Sequence, residues 1–133
     1  MATNKLNGKG LMPSLTANSV PASLDFYGAL GFEVTDRYEE NGVLQGVMLK
    51  AGAVQFGLCQ DDGKKGADRE KGVGLRLYIE TADDIDALAS RAQAAGATLA
   101  KAPYDTDWKT RAFDAVDPSG FAITISSPSP EKA

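Results

Sequence analysis

The chain of 133 residues contains no histidine, the side chain that most often transfers protons near neutral pH. A general acid or base must therefore be a carboxylate, a lysine, a tyrosine or the cysteine. Glu80 and Asp114 could serve if they are buried, but no spacing marks a catalytic pair, and the catalytic residues are left unassigned. A Ser–His or Cys–His nucleophile cannot form, and the sequence has no phosphate-binding loop, dinucleotide fingerprint or zinc-ligand spacing.

Cys59 is the only cysteine, which excludes an intramolecular disulfide and a cluster of thiolates within one chain. It ends the apolar run Val54-Gln55-Phe56-Gly57-Leu58-Cys59. This position predicts a small buried hydrophobic residue, with a reactive thiol as the weaker alternative.

Charge and hydropathy limit the partners that we expect. The net charge is −4 and the 14 basic residues are scattered, so nucleic acid is not an expected partner. Mild acidity favours a neutral or cationic small ligand, although ordinary solubility explains it equally well. No apolar run approaches the roughly 20 residues of a membrane span, and the first residues lack the apolar stretch of a signal peptide. We therefore expect a cytoplasmic protein with no membrane partner.

The order of secondary-structure elements predicts an α+β fold built from a repeated unit. A strand over residues 11–17 precedes a helix that Ser19 caps and Gly31 closes. Three strands are predicted next, with Asn41-Gly42 as the turn between the first two. These strands span residues 32–38, 44–50 and 53–59.

The second half of the chain repeats this order. A strand over residues 74–80 precedes a helix that Asp83 or Asp84 caps and Gly96 closes. Three further strands are predicted over residues 98–102, 110–116 and 121–126. Ser19 and Asp84 are 65 positions apart, as are Gly31 and Gly96, which indicates a duplicated βαβββ unit.

We therefore predict one domain, residues 1–133, made of two βαβββ units at about 11–60 and 73–127. The charged segment 61–72 joins them. Its mixed charges and lack of large apolar residues are typical of a solvated linker, with a lid over a ligand as the alternative.

Strand alternation divides the side chains between two faces. The face beneath the helices is predicted to carry Leu15, Val54, Phe56, Leu75, Leu77, Ile79, Ile123 and Ile125. The opposite face carries Met12, Ser14, Thr16, Gln55, Gly57, Arg76, Tyr78, Glu80, Ala122 and Thr124. This mixture of polar, aromatic and apolar side chains is typical of a binding pocket. Alternatively, the same residues could fill the interior of a small barrel and pair with one another, for example Arg76 with Glu80.

The polar segment 104–111 contains Trp108, the only tryptophan, and ends at Arg111. An aromatic side chain in such a loop can stack on a planar ligand, or it can cover the edge of the core. We include both residues in the predicted ligand-binding set. Tyr38 is a weaker candidate, and Phe32 is better explained as core.

Two motifs carry a resemblance to a known family. The first is the segment 22–34, which contains Ala-Ser-Leu-Asp-Phe-Tyr and Leu-Gly-Phe-Glu-Val, and the second is Asp117-Pro118-Ser119-Gly120. Together with the duplicated unit, they make residues 11–127 resemble the vicinal oxygen chelate superfamily. This superfamily includes glyoxalase I, extradiol dioxygenases and bleomycin-resistance proteins. The resemblance implies tandem βαβββ units whose curled mixed sheets surround a cavity.

The resemblance also implies where a metal would be held, because enzymes of this superfamily place ligands on the first and last strands of each unit. These positions correspond to Met12, Gln55, Arg76 (uncertain by one residue) and Thr124. A thioether, an amide, a guanidinium and a hydroxyl do not form a site for a hard divalent cation. We therefore expect no metal and no other cofactor.

The leading hypothesis is a metal-independent small-molecule-binding protein of the bleomycin-resistance type, which would sequester a ligand such as a drug or natural product. The resemblance implies a homodimer with the ligand at the interface. The predicted ligand-binding residues are Met12, Ser14, Gln55, Arg76, Tyr78, Trp108, Arg111 and Thr124. The alternatives are a lyase, isomerase or dioxygenase-like enzyme with an altered metal site, and a module without any pocket.

Overall fold

The computed structural model describes residues 4–128, which form two helices and eight strands in the order βαβββ, βαβββ. The elements are β1 (Ser14–Ala17), α1 (Val20–Leu30), β2 (Glu33–Glu40), β3 (Val43–Ala51), β4 (Val54–Gln60), β5 (Arg76–Glu80), α2 (Ile85–Ala94), β6 (Leu99–Asp105), β7 (Thr110–Val116) and β8 (Ala122–Pro128). The α+β class predicted from the sequence is confirmed. Neither helix of this region is long and apolar enough to cross a bilayer.

Both helices begin and end where their capping residues predict. The Ser19 hydroxyl accepts a hydrogen bond from the N–H of Ala22, and Gly31 ends α1 with a φ of 104° that favours glycine. Asp84, rather than Asp83, caps α2 by accepting from the N–H of Asp86 at 3.0 Å. These local signals fix the two helices relative to the strands that follow them.

The strands form two four-stranded mixed sheets with the same topology. The first has the order β1-β4-β3-β2 and the second the order β5-β8-β7-β6. The first strand of each unit pairs in parallel with the last, and the remaining pairs are antiparallel. Neither sheet closes into a barrel, so each has one face toward the helices and one face outward.

The helix-facing sides of both sheets share one hydrophobic core with α1 and α2. Tyr27, Phe56 and Phe113 are its largest fully buried side chains. The ring of Tyr27 packs edge-on against those of Phe56 and Phe32, with centroids 5.0 and 5.8 Å apart. This core covers the helix-facing side of each sheet, and exposed side chains such as Tyr38 and Tyr78 lie on the other sides.

One predicted core position is wrong. Leu75 is 42% exposed, because β5 begins one residue later, at Arg76. Leu75 instead follows the turn at Gly72, whose carbonyl accepts a hydrogen bond from the Leu75 N–H at 3.2 Å.

A buried hydrogen bond joins the two halves of the chain. The hydroxyl of Tyr27 in α1 donates to Asp117 Oδ2 at 2.7 Å, in the turn between β7 and β8. Asp117 Oδ1 accepts from the backbone N–H groups of Ser119 and Phe121, each at 2.9 Å. Burial, followed by the Asp117 hydrogen bond and charge, raises the pKa of Tyr27, so this hydroxyl stays protonated. The carboxylate therefore holds the turn and anchors it to α1.

The linker is solvated in its middle but not at its ends. The Lys71 ammonium lies 3.0 Å from Asp61 Oδ2, and their side chains are 3% and 5% exposed. Lys71 also donates to the side-chain oxygen of Asn18, and Arg69 pairs with Asp61 at 3.2 Å. The predicted solvated linker is exposed over residues 62–68, while opposite charges allow its two ends to pack against the domain.

The acid sensitivity of this cluster is a first testable prediction. The hydrogen bond from Lys71, with further help from the Gly63 N–H and Arg69, lowers the pKa of Asp61 to about 2. A folded-state pKa below the unfolded value of about 3.8 gives stability that is present above pH 3.8 and lost as the pH falls toward 2. Urea unfolding between pH 7 and pH 2 should show a steeper acid loss for the native protein than for Asp61→Asn. Parallel curves for the two proteins would rule out this role for Asp61.

A candidate ligand groove and a polar cluster

The strand register arranges the outward face of the first sheet in two rows. Residues that are paired across neighbouring strands lie side by side on this face. One row is Ser14, Gly57, Met48 and Asp36, and the next is Thr16, Cys59, Gly46 and Tyr38. The two glycines occupy diagonal positions on the inner strands, so only Met48 and Cys59 place side chains at the middle of this face.

A groove of about 430 Å³ lies over these glycines. Met12, Tyr38 and Met48 contribute to its mainly apolar lining, and Met12 and Tyr38 are 57% and 62% exposed. A Cβ atom on Gly57 would lie 3.3 Å from Met48 Sδ and 3.9 Å from Ser14 Oγ. The missing side chain at Gly57 therefore opens the space between these two residues.

Cys59 lines this groove and is exposed, so the prediction that it is buried is wrong. Its Sγ lies 3.3 Å from the Ser14 hydroxyl. The physical reason is strand alternation, because Phe56 and Leu58 of β4 face the core while Gly57 and Cys59 face outward.

The outward face of the second sheet carries a connected polar cluster. Arg76 Nη1 donates to the hydroxyl of Thr124 at 2.8 Å, and this hydroxyl donates to Asp114 Oδ1 at 2.8 Å. The hydroxyl of Tyr104 donates to the same oxygen at 3.0 Å. Desolvation, followed by the Asp114 hydrogen bond and charge, raises the pKa of Tyr104. Arg76 thus pairs with Thr124 and Asp114 rather than with Glu80.

The positions implied for a metal do not fit one. The guanidinium of Arg76 is positively charged and donates a hydrogen bond to the Thr124 hydroxyl. This pair would therefore repel a hard divalent cation rather than coordinate it. Gln55 lies in β4 of the first sheet and Met12 precedes β1, whereas Arg76 and Thr124 lie in the second sheet. Within residues 4–128, no group of three or more cysteine, aspartate and glutamate side chains is placed to hold a metal ion.

The predicted ligand-binding residues fall at several places. Met12 and Ser14 line the groove, whereas Gln55 is exposed and outside its lining. Arg76 and Thr124 meet in the polar cluster. Tyr78 pairs with Thr124 across the strands and is 67% exposed on the same face.

The remaining two predicted residues lie away from the groove. Trp108 is 62% exposed in the turn between β6 and β7. Arg111 points toward α2, where its Nε and Nη2 donate to the two carboxylate oxygens of Asp86 at 2.7 and 2.8 Å. Arg111 has the same parity as the buried Phe113, so it lies on the helix-facing side of β7 and is not brought to the polar cluster.

Sequence reasoning missed the contribution of strands other than the first and last of each unit. Gly46 and Met48 of β3 line the groove, and Tyr104 of β6 and Asp114 of β7 complete the polar cluster. Side-chain alternation along β3 and β7 could have placed Gly46, Met48 and Asp114 on the outward faces. It could not place Tyr104, because the register shifts along β6.

Tandem βαβββ units with an open groove define a small α+β protein of the glyoxalase and bleomycin-resistance class. The family model of the Glyoxalase/Bleomycin resistance protein/Dioxygenase superfamily matches residues 11–125. The chain therefore belongs to this superfamily, as the sequence motifs predicted. No curated protein matches the sequence.

Solved structures share the fold at low sequence identity. TioX from Micromonospora sp. ML1 has a TM-score of 0.73 and 18% identity, over 91% of this chain and 99% of that one. A glyoxalase/bleomycin resistance protein/dioxygenase from Nocardioides has a TM-score of 0.71 and 18% identity, over 97% and 89%. A bleomycin-binding protein complexed with bleomycin has a TM-score of 0.65 and 15% identity, over 90% and 98%. Such likenesses show the fold alone.

Proposed function

We propose that this protein binds a small organic molecule in the groove over Gly46 and Gly57, without a metal ion. The observation that carries the proposal is the groove itself, a mainly apolar space on an otherwise exposed sheet face. A volume of about 430 Å³ suits a drug-sized molecule. A bound ligand would cover the apolar side chains that line the groove, and the removal of this apolar surface from water would favour binding.

The lining favours a ligand with a flat apolar body. A floor of two glycines lets a planar group lie against the backbone, and Tyr38 can stack on it from the side. The thioethers of Met12 and Met48 adapt to different ring shapes and make favourable contacts with aromatic rings. The net charge of −4 favours a neutral or cationic ligand over an anionic one. The bleomycin-bound structure of a protein with this fold supports a natural product as the cargo.

We further propose that the working form is a homodimer. The groove is open to solvent on its outer side, and the polar cluster around Arg76 is exposed on another face. A second copy that brings its polar cluster over this groove would enclose a ligand between apolar and hydrogen-bonding walls. Sedimentation should then give twice the chain mass of 14.0 kDa, and a monomer at all concentrations would refute this arrangement.

Substitution of Gly57 tests the groove directly. Gly57→Leu places a side chain between Met48 and Ser14, so we expect at least a tenfold loss of affinity, about 1.4 kcal/mol, for any compound bound there. The probes are proflavine, a flat cation, and bleomycin, both titrated by calorimetry. Gly28→Leu is the matched control, because a Cβ atom there meets nothing within 4 Å. Equal affinity in both variants would place any binding outside the groove.

A further inference from the structure

A second cavity, of about 480 Å³, lies on the other side of the sheets, at the seam between the two halves. The end of α1 and the turn between β3 and β4 form its first wall, and β5, α2 and β8 form the second. Its apolar lining residues are Leu30, Phe32, Val54, Ile79, Leu88 and Ile125. This seam cavity shares no lining residue with the groove over Gly57.

The seam cavity reaches into the hydrophobic core. Leu30, Phe32 and Ile125 are 8%, 7% and 6% exposed, so they belong to the core itself. Ile79 and Leu88 pack against that core but are only partly buried. Apolar side chains that remain partly exposed inside a cavity can bury further apolar area against an apolar ligand, which favours binding.

The rim of the cavity is charged and mainly acidic. Glu80, Asp83 and Arg91 contribute to the lining, and all three residues are exposed. Among the ion pairs within residues 4–128, none includes any of the three. Glu80 and Asp83 are the acidic residues of this lining, and Arg91 is the basic one.

We propose that the seam cavity is a second binding site, whose ligand is a small amphiphile with an apolar body and a protonated amine. The body would occupy the space between Phe32, Leu88 and Ile125, and the ammonium would lie at the rim near Glu80 and Asp83. Attraction by these carboxylates selects an ammonium over a hydroxyl and disfavours a carboxylate. Because both halves line the cavity, a bound ligand would also stabilise their packing.

Three compounds with the same apolar body test this proposal: cyclohexylmethylammonium, cyclohexylmethanol and cyclohexanecarboxylate. Each is titrated into the full chain by NMR, with the methyl groups of Leu88 and Ile125 as reporters of the seam and that of Met48 as the reporter of the groove. We expect the ammonium compound to bind most tightly, the alcohol more weakly and the carboxylate most weakly. Shifts at Leu88 and Ile125 without a shift at Met48 would separate this site from the groove.

Rim variants supply the decisive comparison. Attraction to an exposed carboxylate is weak, so Glu80→Gln with Asp83→Asn should weaken binding of the ammonium compound only about three- to fivefold and leave binding of the alcohol unchanged. Arg91→Gln is the matched control and should not weaken the ammonium compound. The proposal is overturned if no compound shifts the seam methyl groups, if the carboxylate binds as tightly as the ammonium, or if the double variant changes nothing. None of these outcomes bears on binding in the groove.

Discussion

Asp117→Ala is expected to destabilise the protein by roughly 3–5 kcal/mol. The carboxylate is 4% exposed and accepts three hydrogen bonds, from the Tyr27 hydroxyl and from the N–H groups of Ser119 and Phe121. Alanine would leave the fully buried hydroxyl of Tyr27 without this acceptor. The turn between β7 and β8 would also lose its contact with α1.

Urea unfolding with Tyr27→Phe as the partner variant measures this prediction. Tyr27→Phe removes one of the three hydrogen bonds and keeps the ring in the core, so about 1–2 kcal/mol should be lost. Asp117→Ala should therefore cost clearly more than Tyr27→Phe. Equal costs would mean that the two backbone hydrogen bonds to Asp117 contribute nothing to stability.

Gly72→Ala is expected to have the second large effect, a loss of roughly 3 kcal/mol or more in the free energy of unfolding. A Cβ atom on Gly72 would lie 2.5 Å from the carbonyl oxygen of Gly120 and 2.8 Å from its carbon. Both contacts are with backbone atoms, so no side chain can rotate to relieve them. The φ of +77° adds a conformational penalty for any residue with a Cβ.

Gly74→Ala separates these two contributions. Gly74 has a φ of +78°, but its Cβ would meet nothing within 4 Å. It should therefore lose only the conformational part, about 1–2 kcal/mol. The difference between the two variants, measured by urea unfolding, gives the cost of separating segment 71–72 from Gly120. If both variants lose the same amount, the close approach of these backbones is not important for stability.

Local signals in the sequence predicted the helices, the strands and their repeated order, and the resemblance to the superfamily supplied the mixed sheets. Ser19, Gly31 and Asp84 act at short range, and each is found at the helix end that its chemistry favours. The duplicated order of elements then leaves few topologies that bury the apolar faces of both helices. The burial of Lys71 and Asp61 could not be predicted, because it depends on the packing of the linker against Asn18, which lies far away in the sequence.

The candidate site was predicted only in part, and the reason is geometric. Alternation along β1 places Ser14 on the outward face, where it lines the groove together with Met12, which precedes the strand. It could not show that Gly46 and Gly57 lie diagonally, because this arrangement depends on the register between β3 and β4. Arg111 was assigned by its position beside Trp108 in the sequence, while the structure turns it toward Asp86 of α2.

The most direct test of metal-independent binding in the groove is a calorimetric titration of chelator-treated protein with proflavine or bleomycin. The native chain should bind proflavine with the same affinity before and after addition of manganese, iron, nickel or zinc, and Gly57→Leu should bind it at least about tenfold more weakly. Binding that appears only after a metal is added would contradict this account. So would tight one-to-one binding of any of these metals by the protein alone.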